Sequence, residues 1–199
     1  HLWLIGLVVP SLAFVAMGMH ALTGWSVWFW VGPIVILVIV PAIDLMTGLD
    51  RSNPPDDVIE ALEEDRYYRW ITYLFLPIQY VGFVGSLYLI SGGGGADLTT
   101  VDKVGLAVTL GCIGGIGINT AHELGHKQPK VERTLAKLAL AQSGYGHFYV
   151  EHNRGHHNRV ATPEDPASSR LGESFWEFLP RTVVGSVRSA WGLEAKRLR

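Results

Sequence analysis

The sequence predicts an all-α integral membrane protein, with four transmembrane helices followed by helices on the cytoplasmic face or at the membrane interface. Three observations lead there. Of 199 residues, 48% are apolar and only 17% are Asp, Glu, Lys or Arg, against about 25% charged residues in an ordinary soluble domain. The apolar residues gather in the first 120 positions, while twelve of the sixteen Lys and Arg lie from Lys127 onward. Five of the eight histidines fall into two clusters just after that change of character.

A bilayer core about 30 Å thick needs roughly 20 apolar residues of helix, because the backbone must satisfy itself in lipid. Leu2 to Leu22, Val27 to Met46, Trp70 to Ile90 and Val104 to Ala121 meet that length nearly free of charge. Trp25, Trp28, Trp30, Tyr67, Tyr68 and Trp70 sit near their ends, where aromatic belts belong. Arg51, Arg66 and Arg69 mark the loop between the second and third spans as cytoplasmic. Alternation then places the N-terminus and the tail after His126 on the same side. In that loop, Asn53-Pro54-Pro55-Asp56-Asp57 reads as the start of a helix running toward Tyr67. Gly92 to Gly95 reads as an external turn. Val131 to Val150 is apolar, yet Ser143-Gly144-Tyr145-Gly146 interrupts it. A crossing there would also carry the second histidine cluster away from the first, so it is expected to be interfacial or to dip in and return. Phe175 to Arg199 mixes aromatic and basic residues, as a helix lying on a membrane surface would.

Several classes of function are excluded. A net charge of −2 with no basic run leaves no footprint for nucleic acid. A single cysteine, Cys112, removes disulfide frameworks, all-cysteine zinc sites and iron–sulfur clusters. Any metal here would be held by nitrogen and oxygen.

The histidines have ligand spacing. In His122-Glu123-Leu124-Gly125-His126, the i, i+4 separation puts both imidazoles on one helix face. His152 and His156 repeat that spacing, and on an α-helix His157 would point about 100° further round, toward a second ion. Five imidazoles exceed what one tetrahedral ion takes. His147 stands outside the repeat and is expected to support a ligand from behind or to be structural, and His1 and His20 are expected to be surface or core residues. The first cluster also matches the HExxH zinc-protease pattern with Glu123 as base, but such an enzyme has no use for a second His-x-x-x-His-His group. A non-catalytic membrane scaffold is the remaining alternative; it would tolerate loss of His126 and His156.

His122-Glu-Leu-Gly-His-Lys127 and Glu151-His-Asn-Arg-Gly-His-His157, followed by Val160-Ala-Thr-Pro-Glu-Asp-Pro-Ala-Ser-Ser-Arg170 and Gly172-Glu173, resemble the bacterial membrane-bound alkane 1-monooxygenases. Asp44, Asn53-Pro54-Pro55, Arg66-Tyr67-Tyr68-Arg69 and Ala190-Trp191-Gly192-Leu193-Glu194 fit as well. These enzymes belong to the fatty-acid-desaturase-like superfamily of histidine-rich di-iron membrane proteins, and the long box around Asp165 favours the alkane hydroxylases within it.

The resemblance implies a non-haem di-iron monooxygenase of the bacterial inner membrane, with the histidine boxes cytoplasmic. Its ligands here would be His122, His126, His152, His156 and His157. It would use O2 and electrons from rubredoxin, itself reduced by rubredoxin reductase, to convert n-alkanes to primary alcohols. Glu123, Glu151, Asp165 and Glu173 are candidates for carboxylates that accept the far N–H of a ligating imidazole. Lys127, Lys130, Arg133, Arg154 and Arg159 would steer an acidic redox protein or simply obey the positive-inside rule. An alkane offers no polar handle, so it would be positioned by shape in a tunnel among the spans. Ile36 or Val40 would cap chain length there, unless they serve core packing. Superfamily relatives acting on aromatic methyl groups or fatty acyl chains are the nearest alternative. The expected organisation is one hydroxylase domain over 1–199, with a transmembrane bundle at 1–121 and a cytoplasmic face at 122–199. By resemblance this is the first part of a six-span fold whose later histidine boxes lie beyond Arg199, so these residues alone are not expected to form a working di-iron centre.

Overall fold

The computed structural model describes residues 2–49 and 55–199, and among these residues there are helices and no strands. The chain forms two compact units, His1–Thr120 and Ala121–Arg199.

Four helices are long and apolar enough to cross a membrane: α1 (Trp3–Thr23), α2 (Ser26–Thr47), α4 (Arg66–Ile90) and α5 (Thr100–His126). Between the second and third lies the short α3 (Asp56–Glu64). The expected helix toward Tyr67 is therefore two helices. Asp65 is extended (φ −66°, ψ 120°) and its carboxylate accepts the Tyr67 N–H at 2.8 Å, so it caps α4 instead of continuing α3. Asn53 and Pro54, which open that segment in the sequence, lie outside the described residues, as does His1. In α2, a π turn at Val35–Ile39 precedes Pro41, whose missing N–H and ring do not suit a regular helix interior. The glycine turn after α4 requires its glycines, since Gly92, Gly94 and Gly95 all have positive φ.

The first unit packs by close approach. Leu12, Ala13 and Ile113 form one buried cluster, against which Ile36 packs, and Ala16, Phe29 and Leu106 form another. Ile36 thus contributes to packing, whereas Val40 is exposed. Thr109 ties α5 to α2: its hydroxyl donates to the Phe29 carbonyl at 2.7 Å and accepts the Gly32 N–H at 3.0 Å. A Cβ on Gly32 would stand 2.6 Å from the Thr109 Cα, so only glycine permits that contact.

The second unit takes up the end of α5 and adds α6 (Lys130–Gln142), the helical segment α7 over 147–159 and α8 (Phe175–Arg197). The interruption after Gln142 falls at Gly144, which is left-handed (φ 67°). Within α7 the turn His152–His156 is π-helical, flanked by α-helical His147–Glu151 and His157–Arg159. Ser174 caps α8 through a capping box with Glu177.

Candidate metal centre

His122 and His126 end α5 one helical turn apart, and their Nε2 atoms lie 3.0 Å from each other. The second cluster meets them there. His152 Nε2 is 3.1 Å from His126 Nε2 and 3.2 Å from His157 Nε2. A neutral imidazole carries one ring proton, so a chain of four Nε2 atoms at these spacings is not satisfied by hydrogen bonds among themselves. The separations match neighbouring ligands on an ion. Two nitrogens each about 2.1 Å from a metal stand roughly 3.0 Å apart at a right angle and 3.4 Å apart at a tetrahedral one. His122, His126 and His152 all converge within 4.8 Å, a donor set suited to a transition metal that takes imidazole.

The π turn explains His157. On an α-helix, residues five apart diverge by about 140°. The i→i+5 turn at His152–His156 instead brings His157 back beside His152 and within 4.9 Å of the His126 ring, centroid to centroid. The side chain expected to point away from His152 is thus set beside it, next to the group formed by His122, His126 and His152. His156 sits at its edge, its ring stacked on His152 at 5.3 Å and 20°.

Two of the rings are held from outside the cluster. His156 Nδ1–H donates to Asp165 Oδ2 at 2.8 Å, and Ser168 donates to the same oxygen at 2.6 Å. Burial opposes ionisation of Asp165. Hydrogen bonds from Ser168, the Ala167 N–H and His156 outweigh it and hold the carboxyl below its usual range. Because an ionised carboxylate only accepts, His156 must carry its proton on Nδ1, which leaves Nε2 free to bind. Phe148 stacks on His152 at 4.9 Å and 18°. Burial first, then the surrounding imidazoles of His122, His157, His126 and His156, push His152 down to about 4, so it is neutral and ligand-competent at neutral pH.

The other carboxylates take different partners. Glu123 lies 3.4 Å from His122 Nδ1 and is exposed. Buried Glu151 accepts from Arg159 at 2.8 Å, and Arg159 also donates to Ser189, joining α7 to α8. Gly155 leaves the room for that carboxylate, since a Cβ there would overlap it. Glu173 is gripped by Arg181 at 2.6 and 2.7 Å and also accepts the Arg170 N–H. Arg181 and the Arg170 N–H hold its carboxyl down at about 2. Arg181 donates to the Ser168 carbonyl as well, so Glu173 steadies the loop that carries Asp165. Of the expected steering cations, Arg154 pairs with Glu194 and Arg159 with Glu151. His147 lies apart from the cluster's Nε2 contacts; its own Nε2 is buried without a partner, and burial lowers its pKa. Sequence reasoning missed the roles of Phe148, Ser168 and Arg181, and it read Arg159 as a steering cation where the structure pairs it with Glu151. Phe148 alone left a signal, four residues before His152.

Imidazole nitrogens converging at the end of a long apolar helix define a candidate metal centre of a membrane protein. Residues 103–199 match the fatty acid desaturase family. The whole chain is similar to alkane 1-monooxygenase 1 of Alcanivorax borkumensis, at 44% identity over 198 residues, and to the alkane 1-monooxygenase of Pseudomonas putida, at 41%. It covers 48% of each of those proteins. A more distant relative is the xylene/toluene monooxygenase hydroxylase component of Pseudomonas putida, at 28% identity over 86% of this chain and 45% of that protein. The similarity to these alkane 1-monooxygenases runs along the whole chain, which spans about half the length of the curated relatives it matches.

Proposed function

We propose that this chain carries the first part of the iron site of a membrane monooxygenase that converts n-alkanes to 1-alkanols. The observation that carries the reading is the convergence of His122, His126, His152 and His157 through Nε2, with His156 alongside, in a chain so similar to alkane 1-monooxygenases. Two non-haem irons, bound mainly by these imidazoles, would activate O2 for attack on a C–H bond that offers no acid or base handle.

The chain's own residues prepare that chemistry. His152 is kept neutral by burial and by its neighbours, so its lone pair is available. Asp165 fixes the tautomer and direction of His156, and Ser168 in turn fixes Asp165. Phe148 covers one face of His152 and limits water there. The lipid around the four apolar helices would supply the phase into which an alkane partitions, and the helices would position it by shape. The reading includes the bacterial inner membrane as location, a cytoplasmic face for the histidines, and rubredoxin with its reductase as the electron source. The basic residues concentrated after His126 support that orientation.

The test uses the full-length protein in membranes, supplied with rubredoxin, rubredoxin reductase and isotopically labelled O2. Labelled octan-1-ol from n-octane, with bound iron and loss of both in His126→Ala, is the expected result. Oxidation of p-xylene but not n-octane would move the substrate to an aromatic methyl group, as the name of the more distant relative suggests. Bound zinc with peptidase activity sensitive to Glu123→Gln would overturn the reading.

A further inference from the structure

Gln79 is the fourteenth of the twenty-five residues of α4, so it lies about 18 Å along the helix from either end. It is 2% exposed, and neither its Oε1 nor its Nε2 has a hydrogen-bond partner. The other buried polar side chains described in the first unit each have at least one partner, although Asp102 Oδ1 has none. Thr109 bonds to Phe29 and Gly32, Ser86 reaches the Met17 sulfur at 3.7 Å, and Asp102 holds Thr99. Gln79 belongs to a buried stripe of α4 with Ile71, Phe75, Gly82 and Ser86. Its carboxamide lies against Gly117 of α5, where an added Cβ would stand 2.7 Å from Nε2 and 3.1 Å from Oε1. Glycine at that position makes room for the amide. Because the side chain is already enclosed by this chain, no further protein segment is needed to cover it.

An amide at the middle of a membrane helix that is sealed from solvent and left unpaired is costly, and polar groups in such places mark sites for polar ligands. We propose that Gln79, beside Gly117, is the hydrogen-bonding end of a buried hydroxyl site within the membrane-spanning unit. The amide offers one acceptor and two donors, which suit an O–H group and give an alkane nothing to bind. Its occupant is a hydroxyl from either of two sources, a water molecule or a primary alcohol. The alcohol source rests on the proposed function, in which the product differs from the substrate by that one group. Gln79 would then recognise product over substrate, and the water source holds whatever the reaction.

The full-length protein in lipid nanodiscs, labelled with 15N-glutamine, tests this without turnover. The Gln79 side-chain resonance is assigned by its loss in Gln79→Met. Magnetisation transfer from water to its NH2 is expected, and Gly117→Ala, which crowds the amide while keeping it, should abolish that transfer. A signal displaced by octan-1-ol but not by n-octane assigns the site to alcohol. Inhibition by octan-1-ol should then weaken about five- to tenfold in Gln79→Met, the value of one net hydrogen bond, with KM for n-octane unchanged. Water transfer that persists with octan-1-ol assigns the site to water. A resonance without water contact and indifferent to octan-1-ol, together with a raised Tm in Gln79→Met, overturns the proposal. Failure to oxidise n-octane would instead count against the proposed function and leave the water result standing.

Discussion

The two units solve the same problem, keeping helices in register, with different forces. In the first, contact is made where side chains are absent. Gly32 meets Thr109, Gly82 meets Ala13, where a Cβ would come to 2.9 Å, and Gly105 meets the Trp30 indole, where it would come to 2.6 Å. In the second, contact is made by charge: Arg154 of α7 with Glu194 of α8, Arg181 of α8 with Glu173 of the loop before it, and His156 of α7 with Asp165. The difference follows from the solvent each sequence suits. Between helices in lipid there is little hydrophobic drive, so close packing and a few hydrogen bonds hold them. Around a cluster of imidazoles, packing alone leaves rings free to turn, whereas a charged hydrogen bond fixes both orientation and tautomer.

That contrast can be broken at graded cost. The largest effect is expected at the cluster itself: His152→Ala in the full-length protein should remove bound metal, measured by elemental analysis, and reduce activity to background. Next, Arg159→Met leaves Glu151 buried without its cation. It should cost about 2–3 kcal/mol in detergent unfolding, below the usual 3–5 for a buried pair because Arg159 is one-third exposed. Asp165→Asn keeps the shape but loses the charged acceptor, and should weaken metal binding about 10- to 100-fold in a chelator competition while leaving Tm nearly unchanged. In the first unit, Gly82→Leu should cost about 1–3 kcal/mol by overpacking against Ala13 and Phe14, with no loss of bound metal. If that variant released metal as readily as Asp165→Asn, the division of labour between the units would fail.

The smallest effect is one of pH. The Glu173 carboxyl is held at about 2 against an ordinary 4.5, so the folded state favours its ionised form. The stabilisation is therefore fully present above about pH 4.5 and is lost as pH falls from there toward 2. Hydrogen exchange across residues 165–173, corrected for the intrinsic rate, should accelerate over that interval, and Arg181→Met should weaken the dependence, leaving the part due to the Arg170 N–H.

The sequence alone determined the helical class, the four spans and the identity of the histidine clusters, because each rests on local regularity. Span length is set by bilayer thickness, and i, i+4 spacing places two imidazoles on one face wherever a helix forms. Boundaries were less legible where a cap decides them. Asp65 ends one helix and begins another through a single hydrogen bond. Tertiary structure alone decided which carboxylate serves which ring. Glu151, Asp165 and Glu173 are equally plausible partners in sequence, yet Arg159 and Arg181 engage two of them, and Asp165 reaches His156 from nine positions further along the chain. It also decided the direction of His157, because a π turn is a departure from the regular helix that periodicity assumes. Periodic features can be read along a chain, whereas partner choice depends on distances that only folding sets.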